Sequence, residues 1–490
     1  MWSIERLLLW GGNGEAQFFG NMENRPVSGF SINTQTLQTG EIFIALQGTK
    51  RDGHDFVEQA FYKGAGGAMV SHAWFAGQKN KGQTNLFDPN FMIVVDDPLV
   101  GLQSLAKWHR SRFQCPIIGI TGSNGKTTTK EMLAKILARR GAILKTEGNL
   151  NNHIGLPLTL LRLKEEGPGP GGDQAAVLEM GISRPGDMRL LCDIAKPTMG
   201  IITNIGTAHL QFLGNIEGVS AEKKVLFNEI APRGIVIINQ DDPHLSQWEG
   251  AFSEKWTYAI HNDADVTATD IEQHGNGVTF TLALNRNQKG GGGKMKVGLS
   301  LLGEHQVYNA LAASSSALAL GYEFDEIRSA LHGFSPMPLR GEIIEWNGAT
   351  ILLDAYNANP ASMKAAIQTL AVVVAIAGAT ARAGQRKVAI LGDMLELGNA
   401  AKAAHKEIGR KVAQSGIHRL IAVGKFSEVM AFGAIGEGMQ KEAVSAYTDL
   451  ASVDLAHEIK GGDFVLIKGS RGMGMERLLD SLYREKVAVH

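Results

Sequence analysis

The chain has 490 residues, more than one hydrophobic core usually supports, and at roughly 150 residues per domain it points to about three domains. Hydrophobic residues at 44% and charged ones at 20% are ordinary globular usage, which excludes a disordered or fibrous chain. Lys plus Arg (48) balance Asp plus Glu (49), leaving no cationic excess for a nucleic acid or an anionic membrane.

Glycine is the unusual count, 59 residues or about 12% against a typical ~7%, and much of it follows apolar β-type runs, as strand-to-helix turns do. Leu7 to Trp10, after Glu5 and Arg6, has no small-residue cleavage site behind it and reads as an amphipathic first helix. Two strand-like runs follow, "GEIFIALQG" and "FMIVVDD", and a helical pattern near Leu102 to Arg112 closes a first block. The second block opens with "PIIGITG" and a helix over Thr127 to Arg140. It also holds "GIVIINQDD" and two glycine-rich stretches, 167–172 and 290–293, that read as exposed loops. A third block starts near Pro336 and Pro338 and alternates again: "ATILLDAYNANP" then a helix, "KVAILGDM", "RLIAVG", and "DFVLIKGS" then a helix. This alternation predicts an α/β fold with parallel sheets in three domains, 1–112, 113–335 and 336–490. The apolar stretch Leu370 to Thr380 is about half of a bilayer span, so no membrane insertion is expected. Cys115 and Cys192 lie far apart, without CxxC or Cys/His spacing, which fits a reducing cytoplasm.

The sharpest local signal is "IIGITGSNGKTTTKEMLAKIL", a strand, a tight glycine turn and a helix. Backbone N–H groups from Gly122 through Ser123, Asn124 and Gly125 to Lys126 can surround phosphate oxygens, and the helix start adds the positive end of its dipole. Lys126 is placed to neutralise the β and γ phosphates and Thr127 to ligate magnesium, with Thr128 beside it in the first turn. The general pattern GxxxxGK[ST] asks for glycine at 120, where this chain has Ile120.

The variant "TGSNGKTT" resembles the phosphate loop of the Mur ligases and their folylpolyglutamate synthetase relatives, which also lack that first glycine. The resemblance continues through "EGNLNNHIGLPLTLL", "LEMGISRPGDM", "TNIGTAHLQFLG", "GEHQVYNALAA", "LRGEIIEWNG", "LLDAYNANPASM", "ILGDMLELG" and "KGSRGMGMERL", in order along nearly the whole chain. Within the family, "DAYNANP", "GDMLELG" and "KGSRGM" look like the MurF branch, and the "DNPR" signature of the diaminopimelate-adding branch is absent. The resemblance implies an N-terminal UDP-substrate domain, a central ATPase domain and a C-terminal Rossmann-like domain. It also implies a monomeric cytoplasmic ligase of peptidoglycan synthesis. Such an enzyme uses ATP to join D-alanyl-D-alanine to UDP-N-acetylmuramoyl-tripeptide through an acyl phosphate. Two alternatives stand beside it: another Mur or folylpolyglutamate-type ligase with a different amine, and a P-loop ATPase without an acceptor amine, which leaves Lys223, His209 and the C-terminal motifs without a role.

Both steps of such a ligation concentrate negative charge, so preorganised cations are expected to supply much of the catalysis. Glu179 ends the apolar run "AAVLEMG" at a strand's C-terminal edge, where open α/β sheets bind ligands. Position alone leaves a magnesium ligand and a capping or solvated carboxylate equally open, and the resemblance favours the ligand. His209, after "IITNIGTA", matches the family's second magnesium site, so two Mg2+ ions are implied. At Lys223, in "SAEKKVLF", the family carries a carbamate made from carbon dioxide. That requires the neutral amine, in a side chain whose ordinary pKa is about 10.4. Asn309, one helical turn after His305, is assigned by the resemblance to adenine, and Arg340 and Asp354 to the ATP phosphates and ribose, which implies hinge closure of the third domain. Lys468 and Arg471 either bind a substrate carboxylate or sit as surface charges. Asn149 and Asn152 are expected to line the cleft. Where the family carries Asp-Ser/Thr-Arg at the uridine, this chain has Asn33, Thr34 and Gln35, so Thr34 keeps the hydroxyl while an acidic and a basic side chain are lost.

Overall fold

The structure is a computed structural model that describes residues 2–12, 14–21, 27–81, 91–165, 172–207, 210–230, 234–250, 253–274, 277–286, 293–376 and 386–480. His209 and most of the two glycine-rich stretches lie outside these residues. The chain divides into two compact units, Met1–Gly119 with Arg140–Ile182 and Gly186–Gly200, and Ile120–Arg139 with Ser183–Pro185 and Ile201–His490.

In the first unit, β1 (Gln17–Phe19), β2 (Gly29–Ser31), β3 (Glu41–Ile44), β4 (Gly67–Ser71) and β5 (Met92–Val95) form a sheet ordered β1-β5-β4-β3-β2. All neighbours are parallel except β1 against β5. Phe43, Ala68, Val70, Met92 and Val94 cover one face with Val57, Ala60 and Phe75 from the adjoining helices. The first helix runs Ile4–Gly11 and the one closing the first block Pro98–Arg110. Asp97 caps the latter and Pro98 occupies its first turn, where a missing N–H costs nothing.

A nine-stranded sheet contains β6 (Ile117–Thr121), β7 (Ala142–Lys145), β8 (Asp173–Glu179), β9 (Met199–Ile202), β10 (Ile235–Asn239), β11 (Glu254–Ala259), β12 (Val266–His274), β13 (Gly277–Leu284) and β14 (Lys294–Leu299), ordered β14-β13-β12-β11-β10-β9-β6-β8-β7. Within the second unit, β10, β11 and β12 run parallel, whereas β12, β13 and β14 make an antiparallel meander. The parallel strands expected of this block thus continue into an antiparallel addition. The meander strands alternate between buried and more exposed residues, the pattern of a sheet solvated on one side.

The third sheet, β15 (Glu342–Trp346), β16 (Ala349–Asp354), β17 (Lys387–Gly392), β18 (Arg419–Val423), β19 (Val444–Tyr447) and β20 (Phe464–Lys468), is ordered β15-β16-β20-β17-β18-β19. It is parallel except for the β15–β16 hairpin, turned by Asn347 (φ 45°) and Gly348 (φ 80°), the left-handed pair a tight hairpin needs. Its inner strands read as unbroken apolar runs because both faces are covered. Met363, Ile367, Leu370, Ile408, Val412 and Met430 pack on one side, and Val453, Leu455, Met475 and Leu478 on the other. After β20, two short 3-10 turns precede helical residues 478–480, so the helix expected directly behind this strand starts later. Cys115 and Cys192 form no disulfide. Among the described residues no helix is long and apolar enough to cross a membrane.

Candidate active site

In the second unit the phosphate loop follows β6. Ile120, in place of the expected glycine, is a fully buried strand residue, and the turn begins only at Gly122 (φ 148°). A Cβ at Gly122 would collide with Thr203 Oγ1, and one at Gly125 (φ 81°) with Asn309 Oδ1. Close approach as well as backbone conformation therefore requires glycine at both positions. Gly125 caps the helix Lys126–Leu137, whose first-turn amides have no intrahelical acceptor by geometry.

Residues 203–206 clamp this loop from the side. Ser123 N–H donates to Asn204 O (3.0 Å) and Asn124 N–H to Asn204 Oδ1 (3.0 Å). The Thr203 hydroxyl donates to Asn124 O (2.5 Å), the Ser123 hydroxyl to Gly206 O (2.9 Å), and Gly206 N–H returns a bond to Ser123 Oγ (2.8 Å). The clamp is itself held, since buried Asp242 accepts from Ile205 N–H (2.7 Å). Two of the five amides expected to face phosphate, those of Ser123 and Asn124, thus bond to protein instead. The phosphate contacts expected of those two amides are corrected, and the expectation rests on Gly125 and the first helical turn through Lys126, Thr127 and Thr128.

Two lysine amines converge on one acceptor. Lys126 Nζ donates to Gly122 O (2.7 Å), and Lys223 Nζ, from the helix Ile216–Ile230, reaches the same carbonyl (3.1 Å). Lys223 is 2% exposed, in a stripe with Val219, Leu226, Phe227 and Ile230, whereas Lys224 is only half-buried. Burial first, and then the Lys126 charge, hold the Lys223 amine well below the usual lysine range, against an opposing pull from Glu222. The neutral amine is favoured there. Beneath the loop, buried Asn309 accepts from the Thr129 hydroxyl (3.3 Å) and donates to Gln306 Oε1 (2.9 Å), so in this structure its amide braces the helix start.

At the C-terminal edge of the third sheet, Lys468 is 2% exposed and its Nζ donates to Asp354 Oδ2 (2.6 Å), Asn357 O (2.9 Å) and Asp354 O (3.4 Å). Three acceptors use its three protons. Lys468 is therefore neither a surface charge nor a ready cation for a substrate carboxylate, and the expectation is corrected: it fixes Asp354. Arg471 is exposed and pairs with Glu476. The Arg340 guanidinium lies 3.8 Å over the Tyr356 ring, after a left-handed Leu339 (φ 63°). Asn359, at the start of the helix Pro360–Ile376, donates through Nδ2 to Asn124 Oδ1 (2.7 Å).

In the first unit, Glu179 closes β8, is 4% exposed, and accepts from Asn151 Nδ2 (3.0 Å). Its own N–H donates to Thr146 Oγ1 (3.0 Å). Asn152 and Asn149 are exposed, and Asn152 Oδ1 accepts from Ile154 N–H (3.1 Å) and Gly155 N–H (2.9 Å) where the helix Gly155–Leu160 begins. Asn151, between the two singled out in the sequence, is the one that meets the carboxylate. The Thr34 hydroxyl is buried and donates to Gln59 Oε1 (2.7 Å), while Asn33 Oδ1 accepts from Gln35 N–H (2.9 Å) in a local turn.

Sequence reasoning also missed Asn204 and Asn359. Each sits inside a quoted motif, and neither carries a periodicity that separates a structural from a functional asparagine. Among the described residues no group of three His, Cys, Asp or Glu side chains could hold a metal. Mg2+ takes few protein ligands beside phosphate and water, so an ion held through bound phosphate needs no such group.

The Mur ligase middle domain family model matches residues 120–317, and that of the Mur ligase, glutamate ligase domain matches 339–471. UDP-N-acetylmuramoyl-tripeptide–D-alanyl-D-alanine ligase of Bacillus subtilis is 36% identical over 94% of each chain. MurF from Acinetobacter baumannii superposes with a TM-score of 0.82 at 29% identity, covering 98% of this chain and 99% of that one. MurF from Thermotoga maritima, in complex with ADP, gives 0.77 at 26% identity over 96% and 100%. With a clamped glycine loop, two converging amines and full-length likeness to these ligases, the chain belongs to the Mur ligase family and has its three-domain fold.

Proposed function

We propose that the chain joins D-alanyl-D-alanine to UDP-N-acetylmuramoyl-tripeptide, with ATP converted to ADP and phosphate. The observation that carries this reading is the meeting of Lys126 and Lys223 at the Gly122 carbonyl, at a loop built for phosphate. The tripeptide carboxylate takes the γ-phosphoryl group, giving an acyl phosphate. The dipeptide amine attacks its carbonyl carbon, and the tetrahedral adduct expels phosphate and leaves an amide. Lys126 and the amides from Gly125 to Thr128 hold the phosphates as charge shifts between them.

Burial biases the Lys223 amine toward the neutral form, the form that adds carbon dioxide to give a carbamate and a proton. With that carbamate, Thr127, Glu179 and His209 are the proposed ligands of two Mg2+ ions, which supply electrostatic stabilisation of the transferring phosphoryl group. Asn309 serves the adenine, and Arg340 with the Lys468-fixed Asp354 serves the phosphates and ribose. Thr34, Asn149, Asn152 and Arg471 belong to the UDP-tripeptide side. The domain limits 1–112, 113–335 and 336–490 and a monomeric cytoplasmic enzyme complete the proposal.

The test is phosphate release by the purified protein with ATP, magnesium and UDP-muramoyl tripeptide, with and without D-alanyl-D-alanine. Release that depends on the dipeptide, with a pentapeptide product, is expected. Release indifferent to the dipeptide, with a tripeptide ending in either diaminopimelate or lysine, would move the acceptor to another amine.

A further inference from the structure

The Asn359–Asn124 contact joins the third sheet to the phosphate loop through side chains that the glycine-loop mechanism does not use. Asn359 is 7% exposed, and its orientation follows from its other bonds. Its Oδ1 accepts from Ser362 N–H (2.9 Å), its N–H donates to Ser362 Oγ (3.0 Å), and its carbonyl accepts from Met363 N–H (2.9 Å). With Oδ1 engaged as the helix cap, the amide nitrogen must point the other way, and there it meets Asn124 Oδ1 at 2.7 Å.

The arm is rigid behind that amide. Asn357 O accepts from buried Lys468, Ala358 O accepts from the Ser470 hydroxyl (3.4 Å), and Ser470 Oγ accepts from Leu395 N–H (2.9 Å). Asn124 is equally constrained, since its N–H bonds to Asn204 Oδ1 and its carbonyl accepts from Thr203 and from Asn204 Nδ2 (3.2 Å). Only the side chain of Asn124 faces the third sheet. The next residue is Gly125, the helix cap from which the phosphate-holding turn begins.

We propose that Asn359 is a positioning residue for nucleotide binding, acting through Asn124 to set the turn at Gly125, so that the "NANP" segment of the third sheet and the phosphate loop form one energetically coupled unit. This rests on the ATP-dependent reading above. A helix cap alone would stabilise its own helix and leave nucleotide affinity untouched. A coupled arm makes the affinity depend on both asparagines at once.

The experiment is a double-mutant cycle on the full chain, with ADP binding measured by calorimetry in the presence of magnesium and without the other substrates. Asn359→Ser keeps a capping oxygen for Ser362 N–H but is too short to reach Asn124, and Asn124→Ala removes the acceptor from the other side. Each single variant is expected to bind ADP about three- to tenfold more weakly, the range for one neutral hydrogen bond. The double variant is expected to match the single ones, and all three to keep the wild-type affinity for UDP-muramoyl tripeptide. The proposal fails if Asn359→Ser binds ADP as the wild type does, or if the double variant loses the product of the two single factors. It also fails if the wild type binds no ADP, an outcome that removes the nucleotide reading as well.

Discussion

Replacing Lys223 with Met tests the electrostatics at the centre of the site. Met keeps a flexible apolar stem in the stripe of Val219, Leu226, Phe227 and Ile230 and removes the amine. A lysine whose folded pKa lies below its unfolded value of about 10.4 is protonated in the unfolded chain and neutral in the folded one between those two values. The unfolded state then holds more protons, so stability rises with pH by about 1.4 kcal/mol per unit and is lost as pH falls toward the folded pKa. Burial and Lys126 depress the Lys223 value. At any pH above its folded pKa and below about 10.4 the wild type should therefore gain about 1.4 kcal/mol per pH unit that Lys223→Met does not. At roughly 2–4 °C per kcal/mol for a cooperative unit of about 200 residues, the two melting profiles should diverge by about 3–6 °C per pH unit there. The assay is thermal unfolding of both proteins in buffer freed of carbon dioxide, because only the difference between them cancels every other titrating group. Added bicarbonate should then raise the wild-type midpoint and leave the variant's unchanged. Parallel pH profiles for the two proteins would refute the buried-amine argument, whatever happened to activity.

Two further substitutions probe the frame around that amine. Gly125→Ala places a Cβ against Asn309 Oδ1 at a φ of 81°, so strain of ~1–2 kcal/mol adds to the loss of the Thr129 and Gln306 bonds at about 1 kcal/mol each. A lower melting temperature and weaker ADP binding are expected, and a variant with wild-type stability would show that Asn309 yields freely. Lys468→Met leaves the Asp354 carboxylate without its cation. Asp354 is 27% exposed and recovers part of the loss from water, so about 2–3 kcal/mol is expected in denaturant unfolding. Less than about 0.5 kcal/mol would return Lys468 to the role of a dispensable surface cation.

Much of this protein is legible in one dimension. Apolar runs ending in glycine predict the inner parallel strands, because a strand covered on both faces has no polar side to display. The "TGSNGKTT" turn predicts a phosphate loop, because backbone conformation and close approach at Gly122 and Gly125 admit no side chain. Even the buried Lys223 has a local signature, its place in the apolar stripe of its helix. Only tertiary structure decides which polar group meets which. Asn204 takes amides of the phosphate loop from 80 residues away, and Asn359 reaches Asn124 across 235. Lys468 and Arg471, three positions apart behind one strand, divide into a buried clamp and an exposed ion pair. Periodicity reports burial and local backbone shape, whereas a hydrogen bond depends on ångström placement of elements far apart in the chain, and that placement exists only once the sheets have packed.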